Sequence, residues 1–407
     1  METLRCPYAY FREARARTPV LRFEERLPTG AAIYLVTGHA AVVHVLSHPL
    51  QFTADLTGVL PGFDKAIRPP PFPDQPMFHE PHVVFFAGGE DHKIKRQWAM
   101  PLVRRSRLEA CREAVRAEVT RLIDGFVADG RCDFQQQFSD LLPIKVLEIV
   151  LRLPPRAEPI IKRLSRAIAE MDVDPNLTPE QLADKEEAFQ GLFRFNRELL
   201  EERARNPGDD YVSELVKLQV ERDGTLDVNT LSIQLQGIMF GGDHAVGAHL
   251  SHLVLGLAQD PALQERLRAD RSLVSTYIYE TLRLETPVPW LFRHCVEDTS
   301  IGDVPVEKGS VVIAATAAAN RDPARFPDPD TVSPTRANAA RDHLAMGRGA
   351  HRCVGEPLAQ LVAESVVNGL LDRMADIRLD LAKSDPSARP SHQFRCPVSV
   401  HLTFRSV

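Results

Sequence analysis

Nothing in the 407 residues reaches the roughly 18 consecutive apolar positions that a membrane-spanning helix needs, so no membrane contact is expected. Positive charge is not in excess either. Lys and Arg number 49 against 55 Asp and Glu, a formal net charge of -6, which argues against nucleic acid as a partner. The start, Met1 to Tyr8, lacks the apolar stretch of a secretory signal. The six cysteines (Cys6, Cys111, Cys132, Cys295, Cys353 and Cys396) have no paired spacing, so reduced thiols in a cytoplasmic protein are expected. No second Cys or His stands at zinc spacing around Cys353. Flavin motifs, iron–sulfur cysteine clusters, internal repeats and linkers are absent too. The chain therefore reads as one domain, 1–407, although its length alone would suggest two or three.

What is present centres on one loop. Met346-Gly-Arg-Gly-Ala-His351-Arg-Cys353-Val-Gly355 sets a cysteine among glycines, just before a run that reads as a helix from Glu356 to about Ala375. A lone thiolate facing a helix N-terminus, where glycines let the backbone approach, is what a haem iron needs as its fifth ligand.

The rest predicts a mainly α protein with minor β. Apolar residues at three and four spacing mark helices from Gly89 to about Leu284, for example at Leu141, Leu142, Ile144, Val146 and Leu147. Ala31 to Val36, Ser310 to Ala314 and Val398 to Phe404 read as strands. A proline-rich stretch, Pro61 to Pro81, carries Phe63, Phe72 and Phe78. It lies in a region of about 55–90 that reads as a lid or pocket wall, or else as a surface loop pinned by its aromatics. The segment Thr230 to Gln259 predicts a long apolar helix with glycines at 237, 241, 242 and 247. Each costs roughly 1 kcal/mol relative to Ala in a helix interior, so they imply a close backbone approach or a bend.

The cysteine loop resembles the signature Phe-Gly-x-Gly-x-His-x-Cys-x-Gly of soluble, bacterial-type cytochromes P450, with Met346 where Phe is usual. The resemblance covers essentially the whole chain. It implies the P450 fold, with haem b (iron protoporphyrin IX) between a long bent central helix and the proximal loop. Cys353 would be the axial ligand, in a loop shaped by Gly347 and Gly355. Glu280-Thr-Leu-Arg283 resembles the family's Glu-x-x-Arg motif, and Arg336 fits the third member of that buried set. Asp91-His92-Lys-Ile-Lys-Arg96 resembles the acid-His-x-x-x-Arg segment. With Arg293 and His351, His92 and Arg96 would hold the haem propionates.

The central helix departs from the family's Ala/Gly-Gly-x-Asp/Glu-Thr-Thr pattern. In the gap-free register Gly241-Gly242 occupies the Ala/Gly-Gly positions, His244 replaces the acid and Ala245 the threonine. The rival register puts Asp243 on the acid and His244 on the threonine. Either way the usual hydroxyl is missing. His244 would then relay protons, the substrate would supply a hydroxyl, or the reaction would not need ordinary oxygen scission. Alternatively, Asp243 and His244 only pair with neighbours in the helix groove. Candidate substrate residues are Phe72, Phe78, Phe86, Gly237, Phe240, Gly241, Val288, Trp290, Leu291 and Phe394, with Trp290 equally suited to core packing. Gln236, His392 and Gln393 stand beside them in the sequence.

The expected activity is monooxygenation of a small-to-medium hydrophobic natural product, in a monomer fed by a separate ferredoxin and ferredoxin reductase, or by peroxide. Lys93, Lys95, Arg104, Arg105, Arg107, Arg348 and Arg352 offer a basic docking face for an acidic ferredoxin, or a solvated charge run. The alternatives are an atypical oxidation, such as cyclisation or coupling, and a non-catalytic haem-binding helper.

Overall fold

The computed structural model describes residues 6–56, 83–173, 177–389, 391 and 393–407. Phe63, Phe72, Phe78 and His392 lie outside them. The architecture is mainly helical with small sheets, as the periodicity predicts.

The early helices are α1 (Tyr8–Arg17), α2 (His39–Ser47), α3 (Gly89–Ala99) and α4 (Arg105–Asp124). Next come α5 (Leu142–Leu151), α6 (Ala157–Val173), α7 (Pro179–Arg205) and α8 (Tyr211–Asp223). The central helix α9 (Val228–Gln259) is followed by α10 (Pro261–Ala269), α11 (Leu273–Leu284) and α12 (Glu356–Arg373). The strands are β1 (Val20–Arg26), β2 (Ala32–Val36), β3 (Phe52–Thr53), β4 (Arg131–Asp133), β5 (Leu291–Cys295) and β6 (Thr299–Ile301). After them come β7 (Val304–Val306), β8 (Val311–Ala314), β9 (Met374–Leu379), β10 (Asp385–Ala388), β11 (Pro397–Ser399) and β12 (His401–Ser406). One sheet has the order β1-β2-β8-β5-β3, with β2 and β8 parallel. A second has the order β4-β12-β9.

Boundaries shift where a local device overrides periodicity. Helix α9 starts two residues before the expected Thr230, because Asp227 caps it by accepting the Thr230 N–H at 3.1 Å. Helix α12 stops at Arg373, since Met374 onward pairs with β12. The expected strand 398–404 divides at Val400: β11 pairs with β10, and β12 joins β4 and β9.

The glycines of α9 serve close packing. A Cβ at Gly237 would lie 2.8 Å from Val83 Cγ1, and one at Gly242 would lie 2.9 Å from Leu147 Cδ2. At Gly247 it would meet the Ser139 carbonyl oxygen at 2.8 Å. Gly241 differs: its Cβ would meet nothing within 4 Å, so this side of the helix is open.

Two histidines of the core are buried neutral. Burial lowers the pKa of His249 to about 3 and that of His343 to about 4. Unfolding returns each to an ordinary value near 6.5, so the unfolded chain binds more protons below that pH. Stability is therefore expected to fall as pH drops from about 6.5 towards about 4, by up to about 1.4 kcal/mol per unit for each histidine. Denaturant unfolding at a series of pH values checks this. His249→Leu should flatten the slope, and an unchanged slope would contradict the assignment.

Candidate active site

The cysteine loop is built by backbone hydrogen bonds. The Gly347 N–H donates to the Leu344 carbonyl at 2.9 Å, and the Cys353 N–H to the Met346 carbonyl at 2.8 Å. Gly349 sits at φ +67, and a Cβ there would lie 2.5 Å from the Leu46 carbonyl oxygen of α2. Only glycine fits that contact, which pins the loop to α2. Gly347 is left-handed as well, at φ +70. Gly355 precedes α12, and its Cβ position is 3.7 Å from Cys353 Sγ. Burial among the protein atoms around it raises the Cys353 thiol pKa. The backbone N–H groups of Gly355 and Glu356 oppose that rise.

Four residues capable of positive charge gather beside this loop. His92 and Arg96 share one face of α3, and Arg293 lies on β5. The His92 and His351 rings are 3.8 Å apart at 31°. Arg96 Nη1 donates to the Arg352 carbonyl at 2.8 Å, and Arg293 Nη1 to that of Phe292 at 2.7 Å. Burial lowers the Arg293 pKa to about 10. Burial, then Arg293, His92 and Arg96, lower that of His351 to about 3. His92 is lowered by burial, then by Arg96 and Arg293. Two arginines crowded beside imidazoles that burial keeps neutral suit an anionic partner. His92 Nε2 and His351 Nδ1 are buried without a partner, which leaves them free for acceptors such as carboxylates. Thiol and cation set together fit an iron porphyrin bearing two propionates. Among the described residues, no group of three or more His, Cys, Asp or Glu could hold a bare metal ion.

The remaining candidates divide. Glu280, Arg283 and Arg336 meet, with Arg283 Nε at 2.6 Å from Glu280 Oε1 and Arg336 Nε at 3.0 Å from Oε2. On α9, Ala245 stands one turn beyond Gly241, on its open side. Asp243 and His244 meet Ser165 of α6. The His244 Nδ1 is 3.2 Å from Ser165 Oγ and 3.4 Å from Asp243 Oδ2. Burial raises the Asp243 pKa, while His244 and the Ser165 hydroxyl lower it. Sequence reasoning missed Ser165, because no spacing links it to a residue 79 positions away.

Phe240 packs near Phe394 at 5.8 Å and near Phe85 at 6.1 Å between ring centroids. Phe85 was missed in favour of its neighbour Phe86, which stacks edge-on against it at 4.8 Å. Gly237 makes room for the Val83–Phe85 turn. Leu291 Cδ1 lies 3.8 Å from the Cβ position of Gly347, beside the cysteine loop. The Val288 carbonyl accepts from Thr316 Oγ1 at 3.0 Å. Trp290 takes the core alternative: it meets Phe11 edge-on at 6.3 Å in a cluster with Leu35 and Ala317.

The basic docking face needs correction. Lys95 is 2% exposed and paired with Asp91, so it presents no charge at the surface. Arg104 and Arg107 both bind Glu214, Lys93 pairs with Glu90, and Arg352 with Glu356. The charge run is largely matched within the chain.

A helical protein that sets one thiol beside a cluster of Arg and His side chains fits a class, the haem-dependent oxidoreductases. The comparisons agree. The model of the cytochrome P450 family matches residues 171–374. The chain is 30% identical over 384 residues to the 6-deoxyerythronolide B hydroxylase of Saccharopolyspora erythraea, covering 93% of this chain and 90% of that one. It is 28% identical over 383 residues to the pulcherriminic acid synthase of Bacillus subtilis, covering 92% and 89%. Among solved structures, cytochrome P450 CYP109Q5 from Chondromyces apiculatus superposes with a TM-score of 0.85 at 27% identity, covering 100% of this chain and 97% of that one. The chain belongs to the cytochrome P450 family, which implies a haem iron cofactor and oxidoreductase activity. No helix among the described residues is long and apolar enough to cross a membrane.

Proposed function

We propose that this chain is a monooxygenase that hydroxylates a small-to-medium hydrophobic natural product. It would use dioxygen, haem b, and electrons from a separate ferredoxin and ferredoxin reductase, as one cytoplasmic, monomeric unit spanning 1–407. The observation that carries the reading is the meeting of Cys353 with His92, Arg96, Arg293 and His351 in one site. The hydroxylase among the relatives supports the reaction type.

Bound haem supplies the dioxygen chemistry. Cys353 would hold the iron as a thiolate, helped by the N–H groups of Gly355 and Glu356. Arg96 and Arg293 would pair with the propionates, and the His92 and His351 rings would donate hydrogen bonds to them. Phe85, Phe240 and Phe394 bind the apolar body of the substrate and exclude water. His244, held through Nδ1 beside Ser165 and Asp243, would relay protons in place of the usual acid and hydroxyl. Ala245, one turn beyond Gly241 on the open side of α9, supports the gap-free register. His244→Ala is expected to lower product formed per electron consumed several-fold, read by comparing NADPH use with product. Unchanged coupling would remove His244 from the proton path.

Ala245 favours a second reading, an oxidation without oxygen insertion such as a ring closure or coupling. Labelled dioxygen separates the two. Monooxygenation places one labelled atom in the product, whereas a turned-over product without label establishes the second reading.

A further inference from the structure

Arg395, the residue after Phe394, is buried and anchored through both its backbone and its side chain. Its N–H donates to the Pro287 carbonyl at 2.9 Å. Its carbonyl accepts from Nε2 of His252, on α9, at 3.2 Å. Its Nη2 reaches Glu285 Oε2, just past the end of α11, at 3.1 Å. Its guanidinium carbon lies 4.7 Å from the centre of the Tyr8 ring.

Tyr8, the first residue of α1, ties this corner to the start of the chain. Its hydroxyl donates to the Leu284 carbonyl at 2.8 Å. A second guanidinium, that of Arg321, stands 3.8 Å from the same ring, and its Nη2 takes the other Glu285 oxygen at 3.0 Å. One carboxylate thus holds two cations, and one aromatic ring packs against both. Arg15, further along α1, donates to the carbonyls of Ala318 and Arg321 at 2.8 and 3.0 Å. Groups drawn from distant segments that satisfy one another in this way hold a single geometry.

That geometry passes to the pocket through one residue. The Phe394 N–H donates to Ser391 Oγ at 2.7 Å, and its ring meets Phe240 at 5.8 Å and His244 at 5.4 Å. With the backbone fixed on both sides of Phe394, the rotamer open to its side chain is fixed as well. We propose that Tyr8 and Arg395 are positioning residues that act through Phe394, so that the start of α1 sets where the Phe394 ring stands and how much room a substrate finds beside α9. This deepens the proposed function and rests on its reading of Phe394 as a wall of the pocket.

Spectral titration of the haem-loaded protein with imidazole and with 4-phenylimidazole tests it. Both bind ferric iron through a ring nitrogen, and only the second brings a phenyl ring that the pocket must house. Tyr8→Leu should weaken 4-phenylimidazole about fivefold and leave imidazole unchanged. Tyr8→Phe keeps the ring against both guanidiniums and should stay near wild type. Arg395→Lys keeps a charge for Glu285 but loses the planar fork, and should show the same selective loss, so the test does not depend on one variant folding. In a Phe394→Ala background neither Tyr8→Leu nor Arg395→Lys should change the ratio of the two affinities. Equal loss for both probes, or a selective loss that persists without the Phe394 ring, overturns the inference. The thiolate-haem band with carbon monoxide is recorded on every sample. A wild-type protein without that band fails the proposed function, whereas one with the band but no selective loss in the variants fails the inference alone.

Discussion

Cys353→Ser protein loaded with haem is expected to form no product above background and to lose the thiolate-haem band with carbon monoxide. The substitution changes one atom of a loop whose shape comes from elsewhere. The backbone N–H of Cys353 still reaches the Met346 carbonyl, and Gly349 still seats against Leu46 of α2. Helix content and unfolding midpoint should therefore stay close to wild type. What goes is the thiolate, the group that gives the iron its electron-rich character. Retained turnover by Cys353→Ser would show that this sulfur is not the ligand.

Arg283→Ala is expected to cost about 3–5 kcal/mol of stability, because it strands a buried carboxylate. Both Glu280 and Arg283 are 0% exposed. Arg283 Nε and Nη2 reach the two Glu280 oxygens at 2.6 and 3.0 Å. Its Nη1 also donates to the carbonyls of Asn320 at 2.9 Å and Pro329 at 2.6 Å. Its guanidinium carbon sits 5.0 Å from the centre of the Phe326 ring. Lysine cannot reproduce this fork, so Arg283→Lys should rescue little. Glu280 keeps the Ser333 N–H and Arg336, each at 3.0 Å, so Arg336→Ala should cost less than Arg283→Ala. Against a typical total of about 5–15 kcal/mol, the loss at Arg283 removes a large share of the stability. Denaturant unfolding measures it, and a loss under about 1 kcal/mol would show that Glu280 finds other partners.

The haem-side arrangement was legible because short spacings encode it. Glu280 and Arg283 stand three apart and His92 and Arg96 four apart, which one helical turn converts into shared faces. The glycines around Cys353 announce backbone conformations that few other residues adopt. The distal side was less legible, because its contacts join distant segments. No local pattern places Ser165 of α6 against His244 of α9, or Phe85 against Phe240. Surface charge misled for a similar reason. Arg104 and Arg107 read as free cations until the fold brings Glu214 of α8 to them. Lys95 reads as exposed until α3 turns it inward. Trp290 could face pocket or core, and only the position of Phe11 in α1 decides between them.

Cys353 is proposed as the thiolate ligand of a haem held by His92, Arg96, Arg293 and His351. The most direct measurement is the difference spectrum of the reduced, haem-loaded protein with and without carbon monoxide. The strongly red-shifted band of a thiolate-ligated haem is expected in wild type and not in Cys353→Ser. A folded, haem-loaded wild-type protein without that band would contradict it.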